Sequence, residues 1–421
     1  MIPFKTKTFI SMCIMGLIAH TVFAAMPECS SNLRDKVKLN DCYYAPGELF
    51  GDTLNNSAKN VHSIKLQNVT FLSDIFYNLN FTKPDFTNVN FDKLQAKNVT
   101  FQGGTMHNTK FDNTIFAGNG SIANSDRFLQ TERSNFFNNM RIINSSFSHS
   151  NLTATEFTDT DFNNVTFSDA KIVGSRFKNI TAKRLDLSNA KLHSVWILSG
   201  KQFSSLITNN NTEIESSMLV DINLANVKLA SGMQLNDVNW HGDMNVLNNT
   251  NLTGIVVAQS FLWFIVQGNA TFDKIDMRRT HLTLCDKTEK NKACSYEEKI
   301  APTRKVSFGG IKAMDSRFKL RANVKYDFNN AEFKGVNFSG SKLVNVNFKS
   351  TIFKDYYSVK VDFSKTDLTG SMFNLTMAEF NKVAKFNKDT NFSNVEFKDK
   401  KCLKDSIGVC KVAKESLKLY F

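Results

Sequence analysis

The stretch TEFTDTDFNNVTFSDAKI, residues 155–172, decides the fold, because a large apolar side chain returns at every fifth position. Phe157, Phe162 and Phe167 set this period. A small or β-branched residue stands two positions before each of them, and Asn or Asp is frequent at the polar positions between successive large residues, as at Asp161 and Asn164. Helices repeat near 3.6 residues and strands near 2, so neither would collect these side chains on one face. A chain that turns a corner every five residues would point them all inward.

The same period runs through most of the chain. Twelve consecutive slots from Val61 to Phe116 are apolar, and so are twelve more from Ile142 to Ile197. Shorter runs carry the spacing on to Phe397, and most of the 38 phenylalanines occupy this slot. Such a period indicates a solenoid, in which each repeat buries its apolar face against its neighbours along the chain.

These units resemble the pentapeptide-repeat family, whose consensus is roughly Ala, then Asp or Asn, then Leu or Phe, then two variable residues. The segment AEFKGVNFSGSKLVNVNF, residues 331–348, carries the same unit. The resemblance extends over about residues 61–397 with interruptions. It implies an all-β fold, a right-handed quadrilateral β-helix with four pentapeptides in each square coil, short helical caps and loop inserts. Thr, Ser and Val often replace the small Ala of the family, as at Thr155 and Val165.

Breaks in the period indicate one elongated domain with caps and inserts. The ends, residues 25–60 and 398–421, lack the repeat and are expected to cap the rod, because the terminal coils of a solenoid expose unpaired backbone. A split into two domains near 285–307 is the alternative. Loops are expected where the phase shifts within 61–397, at 117–136, 198–213, 230–246 and 283–307.

Three short segments are predicted to be helical. The first is GKQFSSLI at 200–207, inside an interruption of the repeat. The second follows Thr376, where the order Thr-Met-Ala-Glu has the form of a capping box. The third is VAKESLKLYF at 412–421, within the expected C-terminal cap.

Residues 1–24 have the features of a signal peptide. Lys5 and Lys7 precede an apolar stretch, and the run Val22-Phe23-Ala24 suits a cleavage site. The stretch is short for a membrane span, and an uncleaved N-terminal anchor is the alternative. No later segment is long and apolar enough to cross a bilayer. The mature chain is therefore predicted to be secreted or periplasmic, and its host to be bacterial.

The cysteines agree with export. Apart from Cys13 in the leader, six remain, and they form three pairs that are local in sequence. Six cysteines allow fifteen connectivities, so the nearest-neighbour scheme is an expectation. Metal binding is the alternative, but no cluster has the spacing of a zinc site. The disulfide candidates are Cys29, Cys42, Cys285, Cys294, Cys402 and Cys410.

Positive charge is the most useful functional hint. The chain has 52 Lys and Arg against 39 Asp and Glu, a formal net charge of +13. One interpretation is a surface kept soluble by its charge. The other is attraction to anionic partners such as headgroups or cell-wall and host polysaccharides. The densest cluster, inside 283–307, is the candidate interaction patch: Lys287, Lys290, Lys292, Lys299, Arg304 and Lys305.

The sequence carries no recognisable catalytic, metal-binding or cofactor-binding motif. Its histidines are widely spaced, and no glycine-rich phosphate loop is present. Acids such as Asp159, Asp161 and Asp169 stand at repeat positions beside the core slot. Stacked coils can bring two such acids together, as in β-helix enzymes that degrade polysaccharides. No catalytic residue, metal or cofactor is assigned.

The predicted function is that of an exported, non-catalytic binding or scaffold rod. Its expected partner is a protein or an anionic envelope or host surface. A β-helix polysaccharide-active enzyme is the alternative. A topoisomerase-binding DNA mimic is disfavoured, because such mimics are acidic and cytosolic whereas this chain is basic and carries an export signal; binding to nucleic acid is not expected. The sequence leaves the oligomeric state open.

Overall fold

Neighbouring turns of the chain pair in parallel at a constant offset. Partners in the regular part lie 20 residues apart, as Asn151 opposite Lys171, so four pentapeptides make one turn with four sides. The computed structural model describes residues 26–29, 33–34, 36–44, 49–50, 59–72, 74–117, 135–198, 202–203, 206–242, 245–288, 294–295 and 304–412. The protein is a β-solenoid of about 14 turns. The quadrilateral β-helix that the resemblance implies is confirmed.

Sides 1 and 2 are formed by the first two pentapeptides of each turn, and several strands run on around the corner between them. The strands of side 1 are Lys38–Tyr44, Lys65–Phe71, Asp85–Thr87, Thr105–His107, Arg141–Ile143, Asp161–Thr166, Thr181–Asp186, Gln202–Phe203 and Val246–Leu247. The strands of side 2 are Leu206–Ile207, Thr250–Asn251, Ala270–Thr271, Lys305–Ser307, Lys325–Asp327, Asn347–Phe348 and Met372–Phe373.

Sides 3 and 4 carry the longest uninterrupted ladders. The strands of side 3 are Leu49–Phe50, Ile75–Thr82, Gln95–Gln102, Ile115–Ala117, Asn151–Thr153, Lys171–Val173, Lys191–His193, Glu213–Glu215, Gln234–Asn236, Val256–Ala258, Asp276–Arg278, Lys312–Met314, Glu332–Lys334 and Ile352–Lys354. The strands of side 4 are Lys59–His62, Asn135–Asn138, Thr155–Thr158, Arg176–Lys178, Trp196–Leu198, Met218–Val220, Asn239–His241, Phe261–Val266, His281–Cys285, Arg317–Leu320, Val361–Asp362 and Ala384–Lys385.

One large side chain from each pentapeptide fills the interior. On side 2, the rings of Phe71 and Phe91 stack with centroids 4.8 Å apart. On side 4, Phe137 and Phe157 stack at 4.7 Å. The two stacks meet edge to face, as where Phe157 meets Phe167 at 5.9 Å and 89°. Because parallel strands are also spaced about 4.8 Å apart, the ring stacks and the backbone ladders have nearly the same spacing from turn to turn.

The interior changes from aromatic to aliphatic in the middle of the rod. Between Ile180 and Leu262 the buried slots hold mainly Leu, Ile, Val and Met, with Trp240 as the one large ring among the described residues. A closed apolar cavity of about 50 Å³ lies in this segment. Phenylalanine stacks resume with Phe272 and Phe308, whose centroids are 5.1 Å apart. The middle turns are therefore less completely filled than the two ends.

Corners are held by polar side chains that bond from turn to turn. Inward Ser and Thr hydroxyls donate to carbonyls of the preceding turn, as Thr160 Oγ1 to Phe137 O at 3.0 Å. Asn88 has a φ of 54° and donates its amide to Asn68 at 2.8 Å; Asn108 donates to Asn88 in turn. Asn tolerates this left-handed conformation better than most residues, which explains its frequency at the corner position two residues after a large inward slot.

The prediction that residues 25–60 lack the repeat is wrong. Lys38–Tyr44 pairs in parallel with the strand of the next turn, so that Lys38 lies opposite Lys65. Leu39 and Tyr44 keep the spacing of five, and both are buried in the core. Leu49–Phe50 and Lys59–His62 continue the same turn on sides 3 and 4. This first turn is longer than the regular ones, and its extra residues hide the period in the sequence.

The predicted loop at 230–246 is also wrong. Gln234–Asn236 and Asn239–His241 are strands in the ladders, and Leu235 and Trp240 fill inward slots. The turns here are slightly longer than the regular ones, since Gln234 lies opposite Val256 rather than opposite Gly254. The extra residues lie at the corners, so the strands continue to pair although the inward residues are no longer five apart.

The predicted helix at 200–207 is replaced by two short strands. Gln202–Phe203 and Leu206–Ile207 pair in parallel with Thr181–Asp186 of the turn before. Pairing along an existing ladder satisfies backbone groups that an isolated short helix would leave to solvent. The interruption at 198–213 is therefore a small expansion of the coil.

Two long inserts leave the coil and return in register. Across each, partners lie 36 residues apart, as Thr105 opposite Arg141 and Asp276 opposite Lys312. Residues 118–134, 289–293 and 296–303 of the predicted interruptions lie outside the described residues. Within the second insert, Lys287–Thr288 pairs antiparallel with Cys294–Ser295. The side-4 ladder continues across this insert, with His281 opposite Arg317.

A single described helix, Met377–Val383, takes the place of side 3 in the last complete turn. Its capping box is formed as predicted, since Thr376 Oγ1 accepts from Glu379 N at 3.2 Å and the Glu379 carboxylate accepts from Thr376 N at 2.7 Å. Phe380 packs its ring 5.0 Å from that of Phe373. The helix predicted at 412–421 lies outside the described residues except for Val412. No helix within the described ranges has the length and hydropathy of a membrane span.

Disulfides close both ends of the rod. Cys29 bonds to Cys42 and Cys402 to Cys410, each with a Cα separation of 5.0 Å. Cys42 and Cys402 are buried against the terminal turns. Cys285, at the start of the second insert, is also disulfide-bonded. These local bonds restrain segments whose terminal backbone no further turn covers.

Replacing Phe147 with Ala should remove one member of an interior stack. Phe147 is fully buried between Phe111 and Phe167, each at 4.9 Å. The loss should be about 3–5 kcal/mol of unfolding free energy in urea titration. Phe136→Ala is the control, because Phe136 points outward and is only half-buried. Equal effects of the two substitutions would contradict the stacked core.

Candidate functional site

The structure describes two side chains of the predicted basic patch, and both are paired with acids. Arg304 is mostly buried and bonds to Asp286 at 2.8 Å, as well as to the carbonyl oxygens of Asn323 and Val266. Lys305 pairs with Asp327 at 2.7 Å. The interpretation of Arg304 as a surface cation is therefore wrong, because the nearly buried Asp286 requires its charge. Lys290, Lys292, Lys299 and the side chain of Lys287 lie outside the described residues.

The acids considered as a catalytic pair stabilise the surface of the coil. Asp159 accepts from the amide of Asn179 one turn later, and Asp161 accepts from the Thr181 hydroxyl at 2.5 Å. Asp169 accepts from its neighbour in sequence, a serine. Among the described residues, no three His, Cys, Asp or Glu side chains gather in a metal-binding arrangement. These acids hold turns together in the same way as the corner asparagines.

Side 3 has a surface of mixed charge. Its outward positions include acids as well as bases, and these form ion pairs within and between turns. Hydrogen bonding from Lys354 holds the pKa of Glu332 below its usual value, with Lys334 contributing as well. The pairs on this side include Arg278–Asp276, Lys191–Glu213, Lys354–Glu332 and Lys334–Glu332. Exposed pairs of this kind contribute little individually and suit a solvated face.

Side 4 differs over seven of its strands, where fourteen outward positions carry cations, rings and neutral side chains but no acid. These positions flank the inward slots of seven successive strands, from Arg176–Lys178 to Arg317–Leu320. The acids of this side, Glu156 opposite Arg176 and Asp362, lie beyond these strands. The first column is Arg176, Trp196, Met218, Asn239, Phe261, His281 and Arg317. The second column is Lys178, Leu198, Val220, His241, Trp263, Thr283 and Lys319. We call these residues the aromatic–basic band.

The charges of the band lie at its two ends. Arg176 and Lys178 mark one end, and Arg317 and Lys319 mark the other, six turns away. At about 4.8 Å per turn, the two cation pairs are separated by roughly 29 Å. The guanidinium of Arg176 lies 4.9 Å from the ring centroid of Trp196, a cation–π distance. The rows between the pairs are uncharged or carry histidine.

A surface pocket of about 240 Å³ lies at the end of the band nearer the C-terminus. Phe261 is 37% exposed at its rim, and its ring centroid lies 6.3 Å from that of His281. This volume is below the range of about 300–1,000 Å³ for sites that hold a drug-sized ligand, and it suits a single ring. The pocket is lined by Phe261, Trp263, His281, Leu282, Thr283, Arg317 and Lys319.

Trp263 is held in the pocket wall by a small apolar cluster beneath it. It packs against Val246, Ile265 and Cys285, all of which are buried. Because Cys285 is disulfide-bonded, the covalent anchor of the second insert lies directly beside the pocket. A rigid aromatic wall reduces the entropy lost when a ligand binds.

The pocket is electropositive. Burial, together with the nearby Arg321 and Arg317, lowers the pKa of Lys319 below its usual value. No described acid forms an ion pair with Arg317 or Lys319. A cation crowded by other cations and partly withdrawn from water gains from any anion placed beside it.

Four polar atoms of the band are buried without a hydrogen-bond partner among the described residues. They are Arg176 Nε, Asn239 Oδ1, His241 Nδ1 and Trp263 Nε1. Each unsatisfied group of this kind costs about 1–3 kcal/mol. Buried polar atoms without partners are uncommon in native proteins, and here four of them share one surface.

Beyond the band, side 4 continues into a second groove of about 550 Å³. A tight hairpin overhangs it, closed by two mutual backbone bonds of 2.9 Å between Tyr356 and Val359. Tyr357 is 86% exposed at the tip. In this groove Asp362 pairs with Lys385 at 3.6 Å, so one of its two lysines is already neutralised, in contrast to the cations of the band.

Sequence reasoning missed the band because its members share no local motif. Trp196, Met218, Asn239 and Phe261 follow one another in one column, yet they come from different turns and are unequally spaced along the chain. Outward residues flank each inward slot, so they can be located from the sequence only where the five-residue period holds. The period shifts several times within the band, and the outward residues cannot be assigned there from the sequence.

Comparison with protein families identifies the repeat. The family described as pentapeptide repeats matches eight copies in two segments, residues 141–179 and 327–355. No curated protein matches this chain in sequence.

Three solved structures illustrate the distant structural similarities. A trypsin-treated variant of QnrB1, a plasmid-mediated fluoroquinolone resistance protein, is 14% identical with a TM-score of 0.20, over 71% of this chain and 92% of that one. HetL, a pentapeptide repeat protein involved in heterocyst differentiation regulation in the cyanobacterium Nostoc, is 9% identical with a TM-score of 0.15, over 94% and 98%. The periplasmic alginate epimerase AlgG is 10% identical with a TM-score of 0.20, over 86% and 84%. These similarities are too distant to indicate a function.

The charge of the band should be visible in quenching of tryptophan fluorescence. Trp196 and Trp263 are half-buried on the band, whereas Trp240 is buried. At low ionic strength iodide should therefore quench more strongly than caesium, because nearby cations concentrate anions. Replacing both Arg317 and Lys319 with Gln should narrow the difference. Equal quenching by the two ions in the unmodified protein would contradict an electropositive band.

Proposed function

This chain is a pentapeptide-repeat protein, and we propose that it is an exported, non-catalytic binding rod that holds an anionic partner on the aromatic–basic band. The observation that carries the proposal is the contrast between two sides of the same coil. Over the same seven turns side 3 carries three acids beside its four cations, whereas the band has four cations and no acid. A surface serving only solubility would need no such segregation.

The form of the rod supports binding. Its stacked turns present a straight row of side chains at a regular spacing, the arrangement by which solenoids recognise extended partners. The band combines exposed rings with cations, and both are common anchors at binding surfaces. The acids at the positions where catalysis was considered are engaged in structural bonds, which gives the enzymatic alternative no specific support.

Export is supported by the leader-like residues 1–24 and by the disulfides. Disulfides persist mainly in oxidising compartments. A partner on the envelope or on a host surface would then be an extended polyanion or an anionic protein face. Attraction to such partners depends on local positive charge and weakens as salt rises.

Binding to an immobilised carboxylate polymer, poly-L-glutamate, tests the proposal. The oxidised mature protein should bind at low ionic strength and dissociate as salt is raised. The variant with Arg317→Gln and Lys319→Gln should bind at least ten-fold more weakly, and its salt dependence should be shallower. Surface plasmon resonance across a salt series measures both effects.

The matched control removes the same number of positive charges, but from side 3. Lys171→Gln with Lys191→Gln removes two exposed cations, one of which is paired with Glu213. This variant should retain nearly all of the binding. If both double variants lose binding equally, net charge alone explains the attraction and the proposed band is wrong.

Cellular fractionation and N-terminal sequencing test export. The protein should be recovered from the periplasm or the medium with Ala25 as its first residue. It should also lack free thiols until it is reduced. Recovery from the cytosol with Met1 retained would contradict the export proposal.

A sugar-release assay on pectin, alginate and host glycans addresses the enzymatic alternative. The binding proposal expects no product from any of them. Turnover that disappears on Asp161→Asn, with the fold retained by circular dichroism, would replace binding by catalysis as the function.

A further inference from the structure

We infer that the aromatic–basic band is the binding site for an acidic heteropolysaccharide, a linear glycan in which carboxylate-bearing sugars are separated by neutral ones. The inference rests on the proposed function and names the class of its partner. Three independent features of the band carry it: the positions of the cations, the rings and polar side chains between them, and the spacing of the turns.

The positions of the cations suit a ligand whose negative charges are widely spaced. Arg176 and Lys178 lie six turns from Arg317 and Lys319, and the rows between them hold no Lys or Arg. A nucleic acid carries a phosphate at every nucleotide and would leave several phosphates without a counter-charge along this span. A glycan with a carboxylate on every second sugar carries its charge at wider intervals and can place one carboxylate at each cation pair.

The rows between the cations suit sugar rings. Phe261 is exposed, Trp196 and Trp263 are half-buried, and each offers an apolar surface to the C–H face of a pyranose. Asn239 and His241 add half-buried polar side chains to these rows, and sugar hydroxyl groups can both donate to and accept from such groups.

The spacing of the turns also matches the length of one sugar unit of the ligand. Successive rows lie about 4.8 Å apart, which is close to the advance of one pyranose in an extended chain. Roughly one sugar can therefore lie over each row. The pocket of about 240 Å³ beside Arg317 and Lys319 then holds a single acidic sugar, with its carboxylate toward the two cations and its ring against Phe261.

Separate substitutions distinguish recognition of sugar from attraction of charge. Phe261→Ser removes an exposed ring without changing charge. Ile352→Ser, at an exposed outward position of side 3, is its matched control. Both substitutions replace exposed side chains, and circular dichroism and thermal unfolding verify that each variant folds.

The probes are hyaluronan, in which uronate alternates with a neutral amino sugar, neutral dextran, poly-L-glutamate and single-stranded DNA. Isothermal titration calorimetry at low ionic strength should show hyaluronan binding that falls at least ten-fold in Phe261→Ser and is unchanged in Ile352→Ser. Poly-L-glutamate should bind both variants equally. Dextran should not bind measurably, and DNA should bind more weakly per charge than hyaluronan.

The outcomes separate the two proposals. If all polyanions bind and Phe261→Ser affects none of them, the band attracts charge only: the proposed function stands and the glycan inference is overturned. DNA binding that is tighter than hyaluronan binding and falls in Phe261→Ser would also overturn it, in favour of nucleic acid. If no polyanion binds the unmodified protein, both proposals fail.

Discussion

The rest of this structure depends on one large apolar side chain entering the interior at every fifth residue. The rings of Phe91 and Phe111 lie 4.8 Å apart, close to the separation of paired parallel strands, so packing and backbone pairing reinforce each other. Burial of each such side chain contributes about 1.5–3 kcal/mol before entropy is subtracted. Because each turn is buried by its neighbours, the rod requires covered ends, and the disulfides of Cys42 and Cys402 lie there.

The inward slots leave the outward positions free to vary. Residues that flank a slot contribute nothing to the core, so their chemistry can differ from one side to another without altering the fold. Side 3 places Glu213 opposite Lys191 and balances its charge. The same turns place Trp196 opposite Met218 on side 4. The band is therefore a difference between two surfaces that share one scaffold.

The five-residue period was enough to predict the solenoid and most of its core, and the resemblance to the pentapeptide-repeat family implied its four sides. The capping box at Thr376 likewise predicted the helix that replaces one side of the last complete turn. Predictions failed where the chain tolerates extra residues at corners. Trp240 was assigned to a loop because it lies off the phase, yet it fills an inward slot. The density of Lys and Arg near 283–307 pointed to a patch, whereas Arg304 neutralises the nearly buried Asp286.

The sequence by itself determined which side chains are buried, because the inward slots recur locally and each repeat reads the same way. It could not determine which outward residues become neighbours, since that depends on the length of every intervening turn. Arg176 and Arg317 share one column although they are far apart along the chain, and the turns between them are of unequal length. Only the register of the folded coil, set by backbone pairing from turn to turn, brings the cations and rings of the band onto one side.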